Sequence, residues 1–175
     1  TGRHLTMRCD GNTEKHVALG GPIFHGHAAS GFNEKVGHPG NVFWHQAKEA
    51  NKVYQMLSGN QREAALVTAK RPTEWSVALQ GLKGKFPGIP IKELSKDQRG
   101  GLEKVLMLLV DPYRKEDQDE IHACLKAQGG LEACHLAFYK DGDLGNDGEW
   151  DNWRIGGPAF VWYFRGTPHV HIWIN

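Results

Sequence analysis

The chain has 175 residues, of which 39% are hydrophobic, and its 21 Lys and Arg residues are nearly balanced by 20 Asp and Glu residues. This length and hydrophobic content fit one globular domain, residues 1–175, with a sizeable core. The near-neutral charge argues against nucleic acid as a partner, and no apolar run approaches the ~20 residues that a membrane-spanning helix needs. Because the sequence starts at Thr1 rather than at Met, we expect that an upstream segment has been removed.

The N-terminal part predicts β-structure. Residues 4–10 alternate apolar and polar side chains and end at a Gly-Asn turn, which predicts a strand with three polar residues on one face, His4, Thr6 and Arg8. The Gly- and Pro-rich residues 20–27 predict a short strand or an ordered loop, and they contain a His-x-His pair, His25 and His27.

The middle of the chain predicts a block of about four helices. Apolar residues recur at helical spacing in four stretches, and Ser95 with Gln98 forms a capping-box pattern before the strongest of them. Gly, Pro and Asn residues separate the stretches, as is typical of helix ends. The predicted helices cover residues 41–57, 61–69, 95–110 and 114–128.

Strand patterns return in the C-terminal part. Residues 131–139 and 159–165 are β-like, an acidic Gly-rich loop is predicted over 140–152, and the chain closes on GTPHVHIWIN, residues 166–175. The order of strands, helices and strands predicts an α+β domain. In it, N- and C-terminal strands form a mixed or antiparallel sheet that carries the central helices.

The closing strand carries two histidines one residue apart. Alternation along a strand places His169 and His171 on the same face, where two imidazoles can bind a metal ion. Such an ion needs three or four ligands, and His4 supplies a third if the terminal strands are neighbours. His25 and His27 are secondary candidates, because a Gly-rich loop does not fix their position. The alternative is that all these histidines only form hydrogen bonds on a β surface.

Other patterns favour structural interpretations. Four further histidines lie at helix ends or in apolar runs and are expected to be structural, namely His38, His45, His122 and His135. The Asp141–Glu149 stretch resembles a calcium loop but has Gly145 where an oxygen ligand is required. Three charged residues are candidates for contacts around a metal site or with a substrate, Arg3, Arg165 and Glu149.

The cysteines and tryptophans support two further expectations. The three cysteines form no Cys-x-x-Cys pair, and alternation places Cys9 opposite His4, so no thiolate ligand is expected. The six tryptophans are expected to lie mainly in the core or at its rim, with the alternative that Trp150 and Trp153, beside the acidic loop, line a cleft.

Four segments in a fixed order resemble the bacterial family catalogued as domain of unknown function 3500, whose members are often exported: GRHLT (2–6), GGPIFHGH (20–27), DNWRIGGP (151–158) and TPHVHIW (167–173). The resemblance covers nearly the whole chain. Members usually carry more sequence before the first segment, so this chain resembles a C-terminal portion or a processed form. The resemblance implies that His4, His169 and His171 are functional candidates and that the protein is periplasmic or secreted. It implies no reaction.

Together these patterns favour a metal-binding domain, with copper slightly favoured over zinc. Copper would indicate redox chemistry, as in a copper-dependent oxidoreductase, whereas zinc would indicate hydrolysis by a zinc-bound water. The alternative is a non-enzymatic binding or interaction module with structural histidines, in which the Trp-rich surface recognises a polymer or a protein partner. The substrate and the oligomeric state stay open.

Overall fold

The computed structural model describes residues 4–7, 18–26, 39 and 42–175, which form an eight-stranded mixed sheet with four α-helices against it. The predicted α+β class is therefore confirmed. The helices are α1 (Trp44–Met56), α2 (Gly59–Ala65), α3 (Lys96–Val110) and α4 (Lys115–Ala127). The strands are β1 (Leu5–Met7), β2 (Ile23–Gly26), β3 (Leu66–Val67), β4 (Ile89–Pro90), β5 (His135–Tyr139), β6 (Asn152–Gly157), β7 (Phe160–Arg165) and β8 (His171–Ile174).

The sheet joins the two ends of the chain. Its strand order is β1-β2-β8-β7-β6-β5-β3, and β4 also pairs with β5. The N-terminal pair β1–β2 lies beside the C-terminal strand β8, and only β3 runs parallel to its neighbour, β5. This is the arrangement that a shared site on the two ends requires.

Strand β8 begins at His171, so His169 lies just before the strand rather than on it as predicted. Apolar residues hold β8 and the residues before it in register. Val170, Ile172 and Ile174 are buried on the helix side of the sheet, with exposed fractions of 0%, 0% and 4%. Burying one such side chain stabilises the fold by about 1.5–3 kcal/mol. A shift of one residue would exchange them with their neighbours, so their burial directs His169 and His171 to the opposite face.

That opposite face carries a smaller apolar cluster. Its buried members lie on β5, β7 and the segment that follows a 3-10 turn at Glu74–Ser76, and they are Val77, Ala137, Tyr139, Val161 and Tyr163. The segment around the 3-10 turn therefore covers part of the face that the helices leave open.

The structure has three strands that the sequence analysis did not predict, β3, β4 and β6. The second helix ends at Ala65, and Leu66–Val67 forms β3 instead of a further helical turn. Strand β6 was not predicted, although all six of its residues are buried. It ends in two glycines, which disfavour strands in general. Here a Cβ at Gly157 would lie 2.6 Å from Sγ of Cys134, so the close packing of β6 requires glycine.

Three further expectations, on the tryptophans, the cysteines and membrane-spanning helices, can be compared with the structure. Trp153 is fully buried in the core and stacks on Phe164 at 5.6 Å between ring centroids, which agrees with the core expectation and excludes the cleft alternative for this residue. Cys124 and Cys134 are free thiols, and Cys9 lies outside the described residues. Of the helices in the described ranges, not one has the length and apolar character needed to cross a membrane.

Candidate metal centre

The histidine site is built across one row of the sheet. His171 of β8 pairs with Gly26 of β2, and the amide of Gly26 donates to the carbonyl of His4 at 3.0 Å. Residues that face each other across antiparallel strands project to the same side. His4 and His171 therefore point to the same face, separated by a residue without a side chain.

Gly26 is a part of this site that the sequence analysis missed. A Cβ at this position would lie 2.2 Å from the carbonyl oxygen of Val170, far inside van der Waals contact. Glycine thus allows β2 to approach the backbone just before β8 and leaves room above it for the imidazoles. A glycine within a strand pattern is a known sign of such close approach, and that signal was present in the sequence.

The three imidazoles converge through their Nε2 atoms. Nε2 of His169 lies 3.1 Å from Nε2 of His4 and 2.8 Å from Nε2 of His171. One ring nitrogen from each residue lies within 4.8 Å of the others, and all three side chains are half-buried. The structure thus brings together the three histidines that the sequence analysis placed in one site, and they form a cluster that could hold a metal ion.

The proton positions in this cluster follow from the groups around it. Nδ1 of His171 lies 2.8 Å from Oε1 of Glu74, and an ionised carboxylate only accepts hydrogen bonds. In the tautomer in which Nδ1 donates to this carboxylate, Nε2 of His171 presents its lone pair to the other two rings. Because His169 contacts both rings through one nitrogen, a single proton there cannot make two linear hydrogen bonds. A cation at the centre would interact with all three nitrogens at once.

Glu74 is the second residue that the sequence analysis missed. It is only 3% exposed, and its Oε1 accepts from His171 and lies 2.6 Å from Nε of Arg165. Nη2 of Arg165 also contacts Nδ1 of His171. A carboxylate bonded to the outer nitrogen of a metal-binding histidine fixes the tautomer and the ring orientation. No sequence signal identifies Glu74, which lies in an irregular segment 97 residues from His171.

The surroundings keep Glu74 ionised. Burial by itself raises the pKa of Glu74, but the hydrogen bond from His171 and the positive charge of Arg165 outweigh it. The pKa of Glu74 therefore lies below its ordinary value, and the carboxylate is available as an acceptor at neutral pH.

The secondary candidates are not brought to this cluster. His25 pairs with Ile172 and so points to the helix side, where its ring packs against Phe43 at 5.0 Å. Burial lowers the pKa of His25 to about 4, so it is neutral there. His27 lies outside the described residues. In place of His25, Phe24 faces the site and packs edge-on against His171 at 4.9 Å.

The other candidates are distributed as follows. Arg165 contacts the site, Arg3 lies outside the described residues, and Glu149 lies in the acidic loop, where its amide donates to Asp147. Of the four histidines expected to be structural, His45 and His122 are exposed, His135 is half-buried, and His38 is outside the described residues.

The acidic loop does not form a second cluster of this kind. Within residues 4–7, 18–26, 39 and 42–175, only the three histidines bring at least three ligand atoms within reach of one ion. The loop instead closes on Asp151, whose carboxylate accepts from the amide of Leu144 at 2.6 Å. Burial, opposed by that hydrogen bond, raises the pKa of Asp151 to about 6.

A scan against protein-family models, a search of curated proteins and a search of solved structures each found no match to this chain. The family resemblance noted in the sequence therefore stays a prediction.

Proposed function

We propose that this chain is a metal-binding domain in which His4, His169 and His171 hold one copper or zinc ion through their Nε2 atoms. The observation that carries the proposal is the convergence of three imidazole nitrogens within 4.8 Å, with a buried carboxylate behind one of them. Imidazole is a favoured ligand of both ions.

The separations between the nitrogens fit both ions. At a metal–nitrogen distance of about 2.0 Å, two ligands are about 2.8 Å apart at a right angle and about 3.3 Å apart at a tetrahedral angle. The two Nε2 separations are 2.8 Å and 3.1 Å, between His169 and its two neighbours. The shorter separation matches the right angle of tetragonal copper(II), and the longer one lies nearer the tetrahedral angle of zinc, so both ions stay in the proposal.

Three protein ligands leave a coordination position for a further group. Bound copper would supply one-electron redox chemistry, and bound zinc would supply a water of lowered pKa for hydrolysis. The protein's own contribution is to orient the ligands. Glu74 holds the proton on Nδ1 of His171, and Arg165 holds Glu74 in place by an ion pair with a 2.6 Å contact.

Export is a further part of this proposal. It is supported only by the resemblance to the exported bacterial family, which the four matching segments carry. Fractionation of cells that make the native protein tests it. The protein is expected outside the cytoplasm, and recovery in the cytoplasmic fraction alone would contradict it.

Metal analysis of protein purified without an affinity tag tests the metal site. We expect one equivalent of copper or zinc per chain in the wild type and none in a His169→Ala/His171→Ala double variant. His122→Ala is the matched control, because His122 is an exposed histidine on α4 and should not affect the metal content. Circular dichroism checks that each variant is folded.

The ion is then identified by reconstitution of chelator-treated protein. A stoichiometric copper(II) complex with nitrogen hyperfine coupling in electron paramagnetic resonance is expected for three imidazoles. Folded wild type that takes up neither copper nor zinc would refute the metal site and favour the interaction-module alternative.

A further inference from the structure

A second site is indicated by a buried arginine on the same face of the sheet. Arg154 of β6 is only 7% exposed and lies opposite Ala137 and Tyr163. Among the described residues, no Asp or Glu forms an ion pair with it. An arginine does not lose its proton, and a buried charge without a counter-charge is costly. Its interaction with the phenol of Tyr139 supplies no negative charge at neutral pH.

The position of the guanidinium is set by a glycine. A Cβ at Gly156 would lie 2.8 Å from Nε and 3.2 Å from Nη2 of Arg154, so the guanidinium lies over Gly156. His135 of β5 pairs with Gly156 in the sheet register and projects to the same face. Arg154 and His135 therefore lie side by side.

His135 offers a second donor at this place. Its Nδ1 is one of ten buried side-chain nitrogen and oxygen atoms that have no hydrogen-bond partner in the described part of the chain, so it can bond to a ligand. The ring is held by Phe86, at 5.5 Å between ring centroids. Burial, followed by the charge of Lys92, lowers the pKa of His135, so the ring is neutral and able to donate from one nitrogen.

We propose that Arg154 and His135 form a binding site for a small oxyanion of the carboxylate or phosphate class. The planar guanidinium donates two parallel hydrogen bonds to two oxygens of such an anion, and Nδ1 of His135 donates a third. The anion supplies the negative charge that Arg154 lacks. This site is separate from the metal centre and does not depend on the proposed metal function.

Titration followed by NMR tests this site. Sodium phosphate and sodium acetate are added in separate arms at constant ionic strength, sodium chloride serves as the salt control, and the amide signals of His135 and Gly156 are followed. We expect a saturable shift with phosphate, acetate or both, and none with chloride. The oxyanion that binds more tightly identifies the class. A shift that stays linear for both oxyanions in folded wild type would overturn the proposal.

Variants locate the binding. Arg154→Lys keeps the positive charge but loses the planar guanidinium with its two parallel donors. His135→Phe keeps an aromatic ring against Phe86 but loses the donor Nδ1. Each should weaken binding by about tenfold or more, since each removes charge-assisted or directional hydrogen bonds. Arg114→Met is the control, because Arg114 is exposed and paired with Asp117. The affinity of this variant for the oxyanion should equal that of the wild type. Unchanged affinity in both site variants would refute the assignment, and if Arg154→Lys does not fold, His135→Phe alone decides.

Discussion

The role of Glu74 gives the sharpest test of the metal centre. Glu74→Gln keeps an oxygen that can accept from Nδ1 of His171, but it removes the negative charge that pairs with Arg165. Loss of such a supporting group typically lowers metal affinity by about 10- to 100-fold, which is about 1.4–2.7 kcal/mol. Because Glu74 is 3% exposed and its Oε1 contacts both partners within 2.8 Å, we expect a value in this range.

A competition titration with a chromophoric chelator measures this change. Zinc and copper(II) are each titrated against wild type, Glu74→Gln and the control Glu93→Gln, whose side chain is exposed. Wild type and control should agree, and Glu74→Gln should release the metal to the chelator at a lower chelator concentration. Glu74→Gln affinities within about twofold of wild type for both ions would refute the argument that Glu74 orients His171.

Three further predictions concern stability. Gly26→Ala should destabilise the fold by about 1–3 kcal/mol or more and weaken metal binding, because the new Cβ would lie 2.2 Å from the carbonyl oxygen of Val170. Urea unfolding measures the loss of stability, and the chelator assay measures the loss of metal affinity. The pKa of His25 is about 4 in the folded protein, below its value of about 6.5 in the unfolded chain, so the unfolded chain binds a proton more readily. The free energy of unfolding should therefore decrease as the pH falls from about 6.5 to 4, by at most about 3 kcal/mol. Urea unfolding at both pH values should give a smaller loss of unfolding free energy for His25→Phe than for wild type. Equal losses in the two proteins would contradict the inference that burial lowers the pKa of His25. Asp151 has a folded pKa of about 6, above its unfolded value, so its contribution to stability falls as the pH rises from about 4 to 6. Asp151→Asn should lack this decline in the same titration, and a variant that follows wild type at every pH would show that Asp151 ionises freely.

The part of the site in β8 and the residues just before it could be predicted from the sequence. The alternation of His169, Val170, His171 and Ile172 fixes which side chains share a face, because burial of the apolar set decides the register. The third ligand followed from one added assumption, that the terminal strands are neighbours, and the strand order confirms that assumption.

The remaining parts were not predictable, because they depend on contacts between distant positions. Glu74 reaches His171 from an irregular segment, and no periodicity marks such a residue. Strand β6 has a Gly-Gly end that disfavours a strand locally, yet its neighbours on both sides bury it. Local propensity is a weak guide wherever packing against two flanking strands decides the structure.

The place of His4 immediately before β1 links metal binding to the arrangement of the whole chain. β1 has three residues and pairs with β2 alone, while His4 contacts His169, 165 positions further along the chain. Closing a flexible loop of that length costs about 4.5 kcal/mol of chain entropy. An ion bound by His4 and His169 would act as a cross-link that offsets this cost and fastens the edge strand. Removal of the ion should then release β1 first, so that hydrogen exchange at the amide of Gly26 would report metal occupancy directly.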